Sequence, residues 1–249
     1  MESTANPETK FYAVPQFQTQ RRRFRTTYEE FKKLIKENQK GDLINGVVKM
    51  KSPATFRHEK IFIFLSTLMN SFVAAKDLGV VLGSRMLVRI DEFNGYEPDI
   101  LFVSKDRTKI IKEMEVDGAP DVVVEIASKT SKLDDEVRKF NGYERLGVKE
   151  YWIIDSETGK AKFFRMGDDG LFYEVELEKG IFCSEAIPGF WLNLDWLSVE
   201  KMPNSFEALM EILKKQNWEE LKDERQSENS GNRSGSHYYR NSDSGETDG

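Results

Sequence analysis

Two carboxylates lie inside strand-like apolar sequence, and this arrangement constrains the fold more than any other feature of the chain. Asp99 precedes the apolar run 100–103, and Glu125 lies within the run 121–127, which reads Asp-Val-Val-Val-Glu-Ile-Ala. Runs this rich in Val and Ile favour strands that are covered on both faces of a sheet. Burial of a lone ionised carboxylate is costly, so Glu125 requires a cation, a hydrogen-bond network or a raised pKa. A divalent metal ion shared with Asp99 would meet that requirement.

The size and composition of the chain indicate one large domain with terminal extensions. Its 249 residues are 39% hydrophobic, which is enough to bury a substantial core. We expect an α/β domain of mixed-sheet (α+β) type. The predicted segments are a flexible basic arm (1–25), the domain itself (26–200), an amphipathic helix (201–224) and a disordered tail (225–249). No secretory signal is expected, and the longest apolar stretch is shorter than the roughly 20 residues that span a bilayer, so the predicted location is cytoplasmic.

Cysteine and histidine are scarce, and their scarcity excludes several kinds of site. Cys183 is the single cysteine, and His58 and His237 are the two histidines. The chain cannot form an internal disulfide or assemble a Cys/His zinc site by itself. Nucleophilic catalysis by a Ser-His-Asp or Cys-His arrangement is disfavoured because His58 would have to serve as the base. Oxygen ligands, by contrast, are abundant.

Charge is distributed unevenly along the chain. The net charge of -6 does not indicate a nucleic-acid-binding protein when the chain is taken whole. Residues 10–60, however, carry 13 Lys or Arg against 5 Asp or Glu, a net charge of +8, so one end of the molecule can face phosphates. The candidate DNA contacts are Arg21, Arg22, Arg23, Arg25, Arg57 and His58. A solvated charge cluster is the favoured alternative for the run 21–25, and a hydrogen-bonded structural role is the favoured alternative for His58.

Capping and turn signals predict the elements in the first half of the chain. Thr27 followed by Glu30 is a capping box that opens a helix. Asn45-Gly46 is the strongest short turn signal and predicts a hairpin. The predicted elements are a helix from 27 to about 41, the hairpin over 43–50, a largely buried helix over 57–77, and strands over 80–82 and 86–90.

The second half of the chain is predicted to carry the two carboxylate strands and the helix behind them. The predicted elements are strands from 98 and over 121–127, a helix over 133–146, a strand over 151–154, an edge hairpin over 160–177 and a short amphipathic helix from 206. Val137, Phe140, Tyr143 and Leu146 recur every three residues as the predicted inner face of the helix. Lys139 lies beside that face near the helix start, so it can point back toward the strand end that carries Glu125.

Several motifs in this order resemble a known family. They are Pro98-Asp99, the run 119–128 (Ala-Pro-Asp-Val-Val-Val-Glu-Ile-Ala-Ser), Asp134, Lys139, and Tyr143 followed by the run 147–155 (Gly-Val-Lys-Glu-Tyr-Trp-Ile-Ile-Asp). The chain resembles the Uma-two family of restriction endonuclease-type proteins, which belongs to the PD-(D/E)xK nuclease superfamily. The resemblance covers residues 27–197 and includes the runs 43–46 and 52–54 with His58 after them.

The resemblance implies a restriction endonuclease-like core, in which a central mixed β-sheet is flanked by helices, and metal-dependent hydrolysis of phosphodiester bonds in DNA. Asp99 and Glu125 would be the metal ligands, with the backbone carbonyl of Ile126 as a third. The usual lysine of the superfamily is absent two residues after Glu125, where Ala127 stands, and the resemblance implies that Lys139 replaces it. The implied cofactor is Mg²⁺, with Mn²⁺ as a substitute. DNA is the predicted partner, no membrane interaction is expected, and a homodimer is left open.

Structural roles stay open for each of these residues taken singly. Asp99 can shape a strand start, Glu125 can pair with a buried Lys or Arg, and Lys139 can be a surface charge, but the set and its spacing favour the metal site. One departure from the family is the run 45–47 (Asn-Gly-Val), where Asp-Gly-Glu is common, so a carboxylate that assists metal binding would be missing. Two other functions are open. One is a catalytically inactive DNA-binding or regulatory module of the same fold, and the other is a protein-interaction domain that uses the helix 206–221.

Overall fold

A computed structural model describes residues 25–35, 39–83, 85–128 and 134–214. The predicted basic arm other than Arg25, and the predicted tail, lie outside these residues. The candidate DNA contacts Arg21, Arg22 and Arg23 therefore cannot be placed relative to the fold.

Helices occur at the expected places, but the first one ends at Leu34 instead of near residue 41, and the part of the predicted helix 201–224 beyond Lys214 lies outside the described residues. They are α1 (Tyr28–Leu34), α2 (Phe56–Ala75), α3 (Phe140–Leu146) and α4 (Ser205–Lys214), with 3-10 helices at Lys105–Ile110 and Leu194–Leu197 and a π-helical segment at Asp134–Lys139. The capping box is confirmed, because the Glu30 amide donates to the Thr27 hydroxyl oxygen and the Thr27 amide donates to the Glu30 carboxylate. None of the helices within the described ranges has the length and apolar character needed to cross a bilayer.

The strands form a large central sheet and two smaller sheets. They are β1 (Gly41–Ile44), β2 (Val47–Met50), β3 (Gly79–Gly83), β4 (Leu87–Asp91), β5 (Asn94–Tyr96), β6 (Ile100–Ser104), β7 (Glu115–Val116), β8 (Val122–Ala127), β9 (Glu150–Asp155), β10 (Ala161–Met166), β11 (Phe172–Glu174), β12 (Ile181–Cys183) and β13 (Trp191–Asn193). The strand orders are β11-β10-β9-β8-β6-β3, β2-β1-β5-β4-β7 and β12-β13. The predicted hairpin is confirmed as β1 and β2, and Asn45 and Gly46 adopt the positive φ angles of 51° and 76° that its tight turn needs.

Strand β8 is the buried centre of the largest sheet. It runs parallel to β9 and antiparallel to β6, so the predicted mixed sheet is confirmed. Its alternate residues point to opposite faces. Val124 packs on the face that α2 covers, together with Phe72, whereas Val123 packs on the other face, together with Tyr143 of α3. The sheet is therefore flanked by helices on both faces.

Strand register brings the two predicted ligands side by side. Ile100 of β6 pairs with Val124 of β8, so one further step along this antiparallel register sets Asp99 opposite Glu125. The second sheet reaches the same place because Asp42 of β1 accepts a hydrogen bond from the Glu97 amide at 2.8 Å. This hydrogen bond joins β1 of the second sheet to the segment that leads to Asp99.

The helix predicted over 133–146 differs from the observed one in its first turns. Residues 134–139 are π-helical, and α3 begins only at Phe140. Val137 was predicted to face inward and is 48% exposed, so that assignment is wrong. The wider π turn changes which side chains point inward. Asp135 and Lys139 are buried instead, and the Asp135 carboxylate lies 2.9 Å from the Lys139 ammonium.

Close packing of α3 on β5 gives a stability prediction. A Cβ atom added at Gly142 would lie 2.6 Å from the hydroxyl oxygen of Tyr96. Gly142→Ala should therefore lower the free energy of unfolding by about 1–3 kcal/mol through overpacking, although Ala is the better helix former. The control is Asn141→Ala at an exposed position of the same helix, which should change stability by less than about 0.5 kcal/mol. Urea unfolding measures both, and equal stabilities of the two variants would contradict this packing.

Candidate active site

Asp99 lies immediately before β6 and is buried, and three neighbours stabilise its negative charge. Lys40 Nζ lies 2.8 Å from Oδ1, the Ile126 amide donates to Oδ2 at 2.9 Å, and His58 Nε2 lies 3.4 Å from Oδ2. Burial alone would raise the pKa of Asp99, but the hydrogen bond from His58 and the nearby lysine ammoniums hold the pKa well below its usual range. Asp99 is therefore ionised at neutral pH, as a metal ligand must be.

Glu125 lies in the middle of the sheet and is 2% exposed. The Tyr143 hydroxyl donates to Oε1 at 2.9 Å, and Oε2 lies 3.0 Å from Lys139 Nζ and 3.9 Å from Lys51 Nζ. Burial raises the pKa of Glu125 to about 7 against the opposing effect of the two lysines. Glu125 thus has all three features that can compensate a buried carboxylate, namely a neighbouring cation, a hydrogen bond and a raised pKa.

Lys139 is buried among three carboxylates. Its Nζ lies 3.1 Å from Asp42 Oδ2, 3.0 Å from Glu125 Oε2 and 2.9 Å from Asp135 Oδ1. Burial would lower the pKa of Lys139, but these carboxylates raise it well above its usual value. The structure brings Lys139 to Glu125, the direction in which the sequence allowed it to point, and the Lys139 side chain is 2% exposed, so it is not a surface charge.

The β1–β2 hairpin and the segment after it supply site residues that sequence reasoning missed. Lys51 Nζ donates to the Glu97 carbonyl oxygen at 2.5 Å and lies 3.7 Å from Asp42 Oδ2. The Glu97 carboxylate in turn accepts from the Gly41 amide at 3.1 Å. Burial would raise the pKa of Asp42, but Lys139 and Lys51 lower it below its usual value. Asp42 lies immediately before the predicted hairpin 43–50, and the structure begins β1 two residues earlier, at Gly41, so Asp42 lies within the strand. A carboxylate next to Leu43 and Ile44 was the available signal, since such a residue is rarely buried without a partner.

The cluster holds more carboxylates than lysines. Among the described residues, five buried carboxylates meet here, at 2–5% exposure, namely Asp42, Glu97, Asp99, Glu125 and Asp135. Three lysines, Lys40, Lys51 and Lys139, face them. Carboxylates therefore outnumber lysines by two, and His58 beside Asp99 and the exposed Arg85 near Glu97 are further basic groups around the cluster. Burial also raises the pKa of Glu97, so protonation of Glu97 and Glu125 is one way in which the site accommodates these carboxylates.

The donor set fits a hard divalent cation. Asp99 and Glu125 offer carboxylate oxygens from adjoining strands, and a carboxylate oxygen that accepts one hydrogen bond keeps a further lone pair. Mg²⁺ binds one or two carboxylates and retains several waters, so two carboxylates are sufficient. Ile126, the third predicted ligand, follows Glu125 in β8, and its amide is bound to Asp99. Within the described ranges, no group of three or more His, Cys, Asp or Glu side chains is arranged as a ready metal site.

The candidate DNA contacts that the structure describes lie in different surroundings. Arg25 is exposed, and its guanidinium lies 5.5 Å from the centroid of the Phe93 ring. Arg57 pairs with Glu200 at 2.9 Å. His58 lies inside the site beside Asp99, and this contact raises its pKa above the usual value although burial opposes the shift. Of these three residues, His58 is the one that the structure joins to the carboxylates.

Basic side chains form the more accessible part of the site. The side chains of Lys40 and Lys51 are each 22% exposed and that of His58 is 15% exposed. The side chains of Asp42, Asp99 and Glu125 are exposed by 7% or less, whereas Glu59, which lies 3.3 Å from His58 Nδ1, is 50% exposed. The lysine side chains are therefore more accessible than the three carboxylates that they face, which suits a phosphate.

The chain is similar to known proteins in both sequence and structure. A family model named Uma2 and described as "Putative restriction endonuclease" matches residues 28–195. The structure is similar to the crystal structure of a protein from Anabaena variabilis ATCC 29413, described as a "putative nuclease belonging to DUF820". The TM-score is 0.59 at 17% sequence identity, over 71% of this chain and 99% of that chain. A comparison with curated proteins gives no match.

The two similarities support one assignment. Because the sequence identity is low, the structural similarity establishes the fold alone. It confirms the predicted restriction endonuclease-like core. The family model covers more than half of the chain and agrees with the resemblance that the motifs carry. The chain belongs to the Uma2 family of restriction endonuclease-type proteins.

Proposed function

We propose that this chain is a metal-dependent DNA endonuclease, with residues 26–200 as its catalytic domain. The single observation that carries the proposal is the meeting of Asp99 and Glu125 from adjoining strands in a buried cluster where five carboxylates face three lysines. A divalent cation would balance carboxylate charge that the lysines leave unpaired. Membership of the Uma2 family supports the same reaction class.

Asp99 and Glu125 would hold the cation, with the Ile126 carbonyl as a further oxygen donor. When bound there, Mg²⁺ or Mn²⁺ supplies a Lewis acid that lowers the pKa of a coordinated water and neutralises charge on the phosphate. Hydrolysis joins a water oxygen to phosphorus and breaks one P–O ester bond, and the leaving oxygen takes up a proton. The protein's part is to keep Asp99 ionised and to hold both carboxylates oriented in a site from which most water is excluded.

The residues around the ligands perform that positioning. Tyr143 donates to one oxygen of Glu125, and Lys139 holds the other oxygen. Lys139 also binds Asp42 and Asp135, so the two sheets and the π-helical segment are fixed around Glu125. The Ile126 amide orients Asp99 in the same way. These contacts keep the ligand oxygens in place before substrate arrives.

The departure from the family at Val47 gives limited support to an inactive DNA-binding module. Val47 is 58% exposed, and the hairpin that carries it delivers the carboxylate of Asp42 to the cluster. The hairpin therefore still contributes an acidic group to the site. A DNA-binding module without catalysis would retain DNA and show no metal-dependent cleavage.

Substitution of the two ligands gives the first test of function. Wild-type protein should nick or linearise supercoiled plasmid with Mg²⁺ or Mn²⁺ and should be inactive with EDTA. Asp99→Asn and Glu125→Gln should each reduce cleavage at least about 100-fold, because each removes a charged oxygen donor. Asp106→Asn, at an exposed position in the 3-10 helix 105–110, is the matched control and should cleave like wild type. Equal cleavage by wild type and Asp99→Asn would reject the proposal.

The raised pKa of Glu125 predicts how metal binding depends on pH. Below a pKa of about 7 the carboxyl group is protonated, so the cation must displace a proton, whereas above it no proton is displaced. Mg²⁺ affinity measured by calorimetry should be constant above about pH 8 and fall by about tenfold per pH unit below pH 7. Glu125→Gln should bind Mg²⁺ more weakly and lose most of this slope. The same slope in both proteins would show that another group titrates.

A further inference from the structure

We propose that Lys51 binds the DNA phosphate that is cleaved, donating hydrogen bonds to its non-bridging oxygens. The inference rests on the proposed nuclease function and names the side chain that contacts the substrate. Neither the family similarity nor the sequence motifs assign a role to this residue. It follows from the different surroundings of the three lysines in the site.

Lys139 is poorly placed to contact DNA. Three carboxylate oxygens lie within 3.1 Å of its Nζ, so its charge is already paired with carboxylates from three elements or segments. Its side chain is 2% exposed. An incoming phosphate would have to displace a carboxylate from a buried ion cluster, which is costly. Lys139 is therefore a positioning residue that fixes the orientation of Glu125.

Lys51 has the donors and the access that Lys139 lacks. Among the described residues, the Glu97 carbonyl is the acceptor within hydrogen-bonding distance of its Nζ, at 2.5 Å. The nearest carboxylates, Asp42 and Glu125, are 3.7 Å and 3.9 Å away, which is beyond a hydrogen bond. Two of its three N–H groups are thus available, and the side chain is 22% exposed. The ammonium lies 3.9 Å from Oε2 of Glu125, so a phosphate bound beside that carboxylate would be within its reach.

Lys40 shows why exposure alone does not identify the phosphate ligand. Its side chain is also 22% exposed, but its Nζ contacts Asp99 Oδ1 at 2.8 Å. That contact commits the Lys40 charge to a carboxylate that would hold the metal. Lys51 has no carboxylate partner at comparable distance within the described part of the chain.

The chemistry of hydrolysis suits a fixed ammonium at this position. Negative charge on the phosphate oxygens must be compensated as water attacks, and a lysine ammonium in a partly water-excluded site does so without transferring a proton. Neighbouring carboxylates, Asp42 foremost, raise the pKa of Lys51 although burial opposes the shift, so the group stays charged. Hydrogen bonding to the Glu97 carbonyl orients the ammonium before DNA binds.

The experiment compares four variants of the full chain, namely Lys51→Gln, Lys51→Arg, Lys109→Gln and Asp99→Asn. Lys109 is exposed in the 3-10 helix 105–110, which follows the other end of β6, so its substitution removes the same charge away from the site. Plasmid cleavage, Mg²⁺ affinity by calorimetry, and the salt dependence of duplex DNA binding in Ca²⁺ are measured. Thermal unfolding checks each variant, and Lys51→Met, which keeps the aliphatic part of the side chain, replaces Lys51→Gln if that variant is unfolded.

Lys51→Gln should reduce cleavage about 100-fold and lower the salt slope of DNA binding by about 1, because one phosphate contact is lost. Its Mg²⁺ affinity should equal or exceed that of wild type, because a cation beside the metal ligands has been removed. Lys51→Arg should recover part of the cleavage, and Lys109→Gln should match wild type.

Two results would overturn the assignment of Lys51. One is wild-type cleavage by Lys51→Gln, and the other is a parallel fall of its cleavage and Mg²⁺ affinity, which a purely structural lysine would give. Both are distinguishable from failure of the nuclease proposal itself. If the nuclease proposal itself failed, the cleavage rate of Asp99→Asn would equal that of wild type.

Discussion

The contact of one buried ammonium with three carboxylates is the interaction on which the rest of the site depends. Lys139, from the π-helical segment, binds Asp42 of β1, Glu125 of β8 and Asp135 one turn away. Loss of one partner of such a cluster leaves an uncompensated buried charge, which typically costs about 3–5 kcal/mol. The cluster therefore ties the two larger sheets to the π-helical segment, and its ammonium is one of the groups that compensate the buried charge of Glu125.

Those parts of the site and the fold that depend on short sequence patterns could be predicted from the sequence. Glu125 in a Val-rich run and Asp99 before a second run pointed to neighbouring buried strands, and the structure has them side by side. Asp42 was missed because it reaches the site through a contact with Glu97, 55 residues away, and no local pattern specifies which strands pair. The orientation of Val137 was wrong because the π turn has no counterpart in a helical repeat of 3.6 residues.

The arrangement separates two tasks that a single lysine could not perform together. A fully buried lysine stabilises and orients carboxylates, and a partly exposed lysine can meet a negatively charged substrate. Lys139 has the first kind of surroundings and Lys51 the second. The cluster has two more carboxylates than lysines, and this is the physical reason for expecting a divalent cation, since neutralisation of buried charge is strongly favourable.

Anomalous diffraction from crystals grown with Mn²⁺ tests this account most directly. The account predicts one Mn²⁺ ion within about 2.0–2.3 Å of a carboxylate oxygen of Asp99 and of Glu125, with water completing its coordination, as for a Mg²⁺-like cation. Lys139 should keep its contacts with Asp42 and Asp135 in that structure. Crystals in which Mn²⁺ binds only elsewhere, while lysine ammoniums alone occupy the carboxylate cluster, would contradict the account.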